Sequence, residues 1–527
     1  MTRKTPAAPA PPRAGRREWI GLAVIALPCV LYAMDLTVLN LAVPALSKDL
    51  EPSSVQLLWI IDIYGFMVAG ALITMGTLGD RIGRRRLLLI GAAAFGAGSV
   101  LAAFSRSAEM LIATRALLGL AGATLAPSTL SLIRNMFRDP AQRTTAIGVW
   151  ATSYSVGGAI GPFLGGLMLQ HFWWGSVFLL AVPVMLLLLV LGPILLPEFR
   201  DPDAGRMDLI SAAMSAGAVL LVIYGLKQIA QDGLAWLPGL SIVAGIATGI
   251  AFVRRQRYLS SPFINLALFR VPAFSASLTM YLLVTFVAFG AYIFMAQYLQ
   301  LVLGLSPLQA GLWMLPWSVG FIIGSNLTPV IVRYVRPALV IGGGLALAAI
   351  GFGVLTQVDS ASGPLLLVAG SVVYAIGLAP VFTLATDMII GAAPPERAGA
   401  ASAISETSSE LGGALGIAIL GSIGAAVYRG AMADAVSTHI SQQAAEVARG
   451  TLGGAVAVAE HLPDGLGADL LERAREAFAS ALHLAAAISA AIVIVTAVIA
   501  LVVLRRVPAR TRSDEVPDVV PDRAAAG

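Results

Sequence analysis

The sequence predicts an all-α polytopic membrane protein built as two six-helix bundles with two further helices between them, fourteen transmembrane helices in all. Three observations carry this. The 527 residues are 58% hydrophobic and only 12% charged, against roughly 25% charged in a soluble protein. Fourteen apolar runs reach the roughly 20 residues needed to cross about 30 Å of hydrocarbon. Finally, Lys and Arg fall almost entirely on one side of those runs.

The runs lie near 20–43, 57–78, 87–104, 109–131, 144–169, 176–196, 208–228, 237–253, 273–298, 307–331, 338–356, 364–390, 398–428 and 478–504. Their many glycines and prolines are tolerated in membrane helices because neighbouring helices re-satisfy the backbone. With the N-terminus inside, the inner segments hold 26 of the 34 basic residues and the outer segments seven, with Arg115 alone inside a span. This bias predicts that both termini are cytoplasmic. The net charge of +5 is then a topology signal and not a nucleic-acid footprint.

Domain limits follow. Residues 1–18, rich in Pro, Ala and Arg, read as a disordered cytoplasmic tail. Residues 19–196 form the first bundle, 197–253 the inserted pair, and 254–504 the second bundle, with an external loop at 429–477 and a second tail at 505–527. The first apolar run is long and contains Asp35, so it reads as an uncleaved helix and not a signal peptide. The external loop carries helix-forming runs such as Ala468–Phe478 and is expected to be a small helical hairpin.

A weak internal repeat ties the bundles together. Leu125-Ala126-Pro127 recurs as Leu378-Ala379-Pro380, an offset of 253, and Gly157-Gly158-Ala159-Ile160-Gly161 recurs as Gly412-Gly413-Ala414-Leu415-Gly416, an offset of 255. Both pair span n with span n+8, as expected for parallel halves around a midplane cavity.

Five carboxylates stand inside apolar spans: Asp35, Asp62, Asp387, Glu406 and Glu410. Each costs roughly 2.5–3.5 kcal/mol near the bilayer centre on insertion scales, so such residues normally face a protein-lined cavity and serve ion or substrate movement. Asp62 and Arg115 each lie about six residues, roughly 9 Å, from the outer end of their spans, and Asp35 roughly 16 Å from the end of its own. Arg115 can reach either acid. Moving it toward or away from Asp35 would switch proton affinity with conformation, although a permanent structural pair is the other reading. Glu406 and Glu410 share a helical face and straddle the midplane. Two carboxylates this close disfavour joint ionisation, so they are suited to bind a lipophilic cation, to carry protons, or both; hydrogen bonding between helices is the alternative. Asp387, near the inner end of span twelve, reads as a helix-end residue. Tyr154 and Trp313 are candidates to stack on a delocalised cation, though interface belts also use Tyr and Trp.

Several classes are excluded. Four scattered histidines and one cysteine, Cys29, argue against a metal site or redox chemistry, and no Gly-rich turn with a following Lys-Ser/Thr marks a nucleotide site. No cofactor, catalytic residue or obligate protein partner is expected.

The motifs resemble one family. Gly76-Thr77-Leu78-Gly79-Asp80-Arg81-Ile82-Gly83-Arg84-Arg85-Arg86 is similar to the signature loop of the major facilitator superfamily. Gly157, Gly161, Pro162, Gly165 and Gly166 in span five resemble its antiporter motif, and Met34 to Pro44 resembles the first-helix motif of its fourteen-helix drug:proton antiporter branch. Trp59-Ile60-Ile61-Asp62-Ile63-Tyr64 resembles the subgroup that exports quaternary ammonium antiseptics and dyes. The chain departs from the family in having Leu118 where span four usually carries glutamine, and in lacking the asparagine usual before Pro183. The resemblance implies the major facilitator fold and a proton-coupled multidrug efflux antiporter in the bacterial inner membrane, whose partners are hydrophobic cationic drugs, protons and the lipid bilayer. A dedicated exporter of one metabolite or antibiotic is the alternative. The residue chemistry above adds the expectation of proton coupling at Asp35 and Arg115, and of cation recognition at Glu406, Glu410, Tyr154 and Trp313, and the resemblance adds Asp62 to the recognition set. Asp80, Arg81, Arg84 and Arg85 become a conformational latch between the halves.

Overall fold

The structure, a computed structural model, describes residues 13–507 apart from 53, 201–207, 233–234, 260–261, 263, 265 and 434–440. Most of both expected tails, part of the external loop, and the side chains of Pro162 and of six residues in the Met34–Pro44 motif lie outside the described residues.

Among the described residues, thirteen helices are long and apolar enough to cross a membrane. The remaining expected span, the fifth, lies within a further helix, Pro140–His171, of 32 residues. Spans one to three are Arg16–Leu50, Ser54–Ile82 and Arg84–Ala103. Span four, Ala108–Met136, breaks between Gly122 and Leu125, because Pro127 has no N–H for the Ala123 carbonyl. Span six, Ser176–Leu195, breaks at Leu180 for the same reason at Pro183. The inserted pair is Leu209–Asp232 and Trp236–Gln256. Spans nine to fourteen are Pro272–Gln297, Pro307–Ile331, Pro337–Leu355, Pro364–Ala392, Ala398–Met432 and Asp464–Val503. Spans five, nine, ten, eleven and twelve begin on proline, where its fixed φ and missing N–H cost nothing.

Packing repeats with a period of eight spans. Spans one and five, two and four, three and four, and three and six pack together in the first half, matched by nine and thirteen, ten and twelve, eleven and twelve, and eleven and fourteen in the second. Each half has its own buried cluster, one around Ile25, Phe95 and Ile147 and the other around Phe274, Phe352 and Leu420. The halves meet along two seams, span five on span ten and span two on span thirteen.

The glycine motif explains the tightest pairing. A Cβ on Gly157 would strike the backbone of Val30 on span one, and one on Gly412 would meet the Leu282 carbonyl of span nine at 2.5 Å. Only residues without a side chain permit that approach. Gly165 likewise faces Val38. The motif therefore packs within one half, span five on span one.

The inserted pair is a closed hairpin. A Cβ on Gly225 would crowd the Pro238 carbonyl and one on Gly245 that of Ala218, while Arg255 binds Asp208 at 2.9 Å and Gln256 donates to Ser211 at 2.9 Å. Span seven covers the seam of spans two and thirteen, with Ile223 on Phe66 and Ala414 alongside. Between spans thirteen and fourteen lie two short helices, Gln442–Gly450 and Leu452–Ala459, tied back by Tyr428 to the Ala448 carbonyl at 3.0 Å. The run Ala468–Phe478 belongs to the start of the last helix.

Candidate functional site

In the first half, span four turns Arg115 inward against span one. Its Nη1 lies 2.6 Å from Asp35 Oδ2, its Nε donates to the Ile60 carbonyl at 3.2 Å, and its guanidinium stands over the Tyr64 ring at 4.8 Å. Arg115 is 1% exposed and the Asp35 side chain 15%, so this ion pair is nearly dry. Against Asp35 lies a cavity of about 20 Å³, room for one water, walled by spans three and six through Phe95, Ser99, Val177 and Phe178.

The second half presents its acids differently. Glu406 and Glu410 sit on span thirteen, both partly buried. Glu410 Oε1 accepts the Tyr32 hydroxyl of span one at 3.2 Å, a contact across the halves. Glu406 Oε1 is buried without a hydrogen-bond partner, and Tyr32, Tyr154, Tyr281 and Cys29 lie within its electrostatic reach. A buried carboxylate in such a place needs a proton or a cation. The tyrosines near it come from both halves and continue into ring chains: Tyr154 stands 5.8 Å from Tyr32 and 4.8 Å from Trp150, and Tyr281 leads through Phe382 and Phe321 to Trp317 with centroids 5.2–6.1 Å apart.

Asp62 and Trp313 lie off this centre. Asp62 is half-buried and shares a helical face with Trp59 and Phe66, the face on which span seven packs; Tyr64, two residues on, turns toward Arg115. Arg115 thus pairs with Asp35, the deeper of the two acids within its expected reach. Trp313 is half-buried against the second-half core, and the ring contacts of span ten run through Trp317.

At the end of the molecule carrying the signature loop, two contacts clamp the halves. Asp80 accepts the backbone N–H groups of Gly399 and Ala400, at 3.3 and 3.0 Å. These are unsatisfied donors of the first turn of span thirteen, where the helix dipole also favours an anion. Arg84, fully buried, pairs with Asp80 and donates to the Gly76 carbonyl at 2.9 Å. A Cβ on Gly76 would lie 2.5 Å from the Gly399 carbonyl, so glycine lets spans two and thirteen touch. Gly83, at φ 111°, makes the turn that glycine alone adopts without strain. Arg85 reaches the other way, to the Pro193 and Leu196 carbonyls at 3.2 and 3.0 Å, and Glu198 accepts the N–H groups of Arg85 and Arg86 at 3.1 Å. Arg81 is part-buried beside them. The second clamp joins span five to span twelve: Arg143 Nε and Thr144 Oγ1 donate to Asp387 at 2.6 and 2.8 Å, and Asp387 is 0% exposed.

Sequence reasoning had not singled out Tyr32, Arg143, Thr144, Tyr281, Phe382 or Glu198. Tyr32 lies one helical turn before Asp35, a legible signal; Arg143 had been counted for topology only.

Two parallel bundles related by an eight-span repeat, with acids at their junction and clamps at one end, define a membrane transporter. The family model described as Major Facilitator Superfamily matches residues 25–417, and the chain belongs to that superfamily. It is 42% identical over 499 residues to the multidrug efflux pump LfrA of Mycolicibacterium smegmatis, covering 94% of this chain and 98% of that one. It is 38% identical to the methyl viologen resistance protein SmvA of Salmonella typhimurium, covering 88% and 93%. It is 32% identical to the tetracenomycin C resistance and export protein of Streptomyces glaucescens, covering 90% and 89%. The human organic anion transporter MFSD10 (TETRAN) shares the fold, with TM-score 0.59, 15% identity, and coverage of 92% of this chain and 99% of that one.

Proposed function

We propose that this transporter is a proton-coupled antiporter that exports lipophilic cations, quaternary ammonium antiseptics and dyes among them, across the bacterial inner membrane. The observation that carries the reading is Glu406: a buried carboxylate oxygen without a partner, four residues from a second carboxylate, among aromatic rings drawn from both halves. A cation with delocalised charge is the solute that suits it, each ring contact adding about 0.5–2 kcal/mol. The names of the relatives, a multidrug efflux pump and a methyl viologen resistance protein, support the same cargo class and the drug:proton antiporter branch.

In this reading Asp35 takes the proton and Arg115 is its internal counter-charge. The Lys and Arg bias assigns the clamped end to the cytoplasm, so the conformation described is closed on that side. Cargo binds at Glu406 and Glu410 from the cytoplasm or inner leaflet, with Tyr154 completing recognition. Asp80 and Asp387 then close the inner clamps as the halves rock outward, and a proton arriving from outside at Asp35 resets the cycle. Each net charge moved gains about 2.3 kcal/mol per 100 mV.

The test is ethidium or benzalkonium efflux from proteoliposomes under an imposed pH gradient. Uphill efflux that collapses with the gradient is the expected result; transport indifferent to it removes proton coupling. The tetracenomycin C exporter favours a second reading, a narrow exporter of one antibiotic, for which a resistance panel would protect against a single compound class.

A further inference from the structure

The proposed proton site and the proposed cargo site are on different halves, so some element must carry the state of one to the other. From Asp35 a contiguous series of contacts leads across the junction. Arg115, 2.6 Å from Asp35, lies over Tyr64 at 4.8 Å. The Tyr64 and Tyr32 rings are 5.9 Å apart, and the Tyr32 hydroxyl donates to Glu410 at 3.2 Å. Both tyrosines are buried. Tyr64 is within electrostatic reach of Asp35, Arg115 and Glu410, and Tyr32 of Glu410 and Glu406. Spans three and six, which wall Asp35, bring Phe95, Ser99, Val177 and Phe178 to its cavity, and none of these titrates; span five contributes Tyr154 beside Tyr32.

We propose that Tyr64 and Tyr32 are the positioning residues that couple protonation of Asp35 to the cargo carboxylate Glu410. The inference rests on the proton and cargo assignments made above. A proton added to Asp35 Oδ2 cancels one charge of the ion pair and releases the guanidinium from its fixed place. The ring beneath it is held by that cation and by close packing: the Tyr64 hydroxyl has no hydrogen-bond partner and lies 3.1 Å from where a Cβ on Gly122 would stand. When Arg115 shifts, Tyr64 repacks against Tyr32, and the Tyr32 bond to Glu410 breaks or forms. Run in reverse, a cation that draws Glu410 away from Tyr32 favours loss of the Asp35 proton. No covalent step is involved; the proton passes between Asp35 and water. The discrete two-state member is Arg115, as a physical coupling network requires.

The experiment uses the full chain in nanodiscs, with ethidium as cargo, reading ethidium affinity across pH 5.5–8.5, protons released on binding, and gradient-driven efflux in proteoliposomes. In wild type, binding strengthens with pH and releases protons. In Tyr32→Phe, ethidium exchange without a gradient persists, while proton release and gradient-driven efflux fall by about fivefold or more. Tyr64→Leu gives the same split, and Tyr64→Phe, which keeps the ring, restores coupling. Tyr32→Phe preserves packing, so a folding defect in Tyr64→Leu leaves the proposal exposed to the other variant. Full coupling in Tyr32→Phe overturns the link. If Asp35→Asn also keeps proton release and uphill efflux, the proton assignment itself fails; if Asp35→Asn loses them while Tyr32→Phe and Tyr64→Leu do not, only the link fails.

Discussion

The two halves share a backbone plan and differ in their charges. Val30 and Leu282 meet equivalent glycines, so span one maps onto span nine at an offset of 252, and span four maps onto span twelve at 253. At those offsets Asp35 and Arg115 fall on Val287 and Val368, both buried. In the other direction Glu406 and Glu410 fall on Ala151 and Ser155, also buried. At these positions the first half holds Asp35 with its counter-charge supplied by a neighbouring span, whereas the second holds Glu406 and Glu410, the former with a buried oxygen that has no hydrogen-bond partner. Packing symmetry lets the halves rock as similar bodies. In the function proposed above, this charge asymmetry assigns the proton to the first half and the cargo cation to the second.

The comparison can be broken most severely at Arg115. Arg115→Ala leaves Asp35 buried without its guanidinium, and breaking a buried pair costs about 3–5 kcal/mol; the expected result is a large fall in the detergent melting temperature, partly reversed by adding Asp35→Asn. Glu406→Gln removes the charge offered to cargo and not the first-half pair, so ethidium affinity should weaken by about 1.5–3 kcal/mol in a fluorescence titration while the melting temperature holds. The shared backbone is sharpened by Gly157→Ala and Gly412→Ala. Each forces a methyl against a facing carbonyl and should cost about 1–3 kcal/mol, and unequal losses would mean that the halves are packed less alike than their spacing implies. Asp387→Asn weakens the clamp to Arg143 by about 1–3 kcal/mol, read as faster labelling of a cysteine placed at the clamped end in a Cys29→Ser background. The smallest effect is expected for Glu198→Gln, about 0.3–1 kcal/mol at this exposed helix start, since the amide keeps one of the two N–H acceptors and gives up the other with the negative charge.

The fold was legible because a membrane span is a composition and a length, and because near-equal offsets of 253 and 255 exposed the repeat. Span five was seen in sequence as readily as the others. Of the site, the acids and Arg115 were legible because a charge in an apolar run stands out. Their partners were less so. Depth along a helix placed Asp35 and Asp62 both within reach of Arg115, but azimuth separates them: Asp62 shares the face of Trp59 and Phe66, which meets the inserted pair. The Tyr32 contact to Glu410 joins residues 378 positions apart, and the Arg143 contact to Asp387 joins residues 244 apart. Neither pairing leaves a local pattern, because each depends on how the two halves are docked. The glycine motif is visible in the sequence, but its packing on span one comes from the folded backbone alone.

The most direct measurement is the release of protons on ethidium binding, compared in Asp35→Asn and Glu406→Gln protein held in nanodiscs. With the proton site in the first half and the cargo site in the second, Asp35→Asn binds ethidium but releases fewer protons than wild type and drives no uphill efflux, and Glu406→Gln loses most of its ethidium binding. Ethidium binding lost in Asp35→Asn, together with intact binding in Glu406→Gln, would contradict that division.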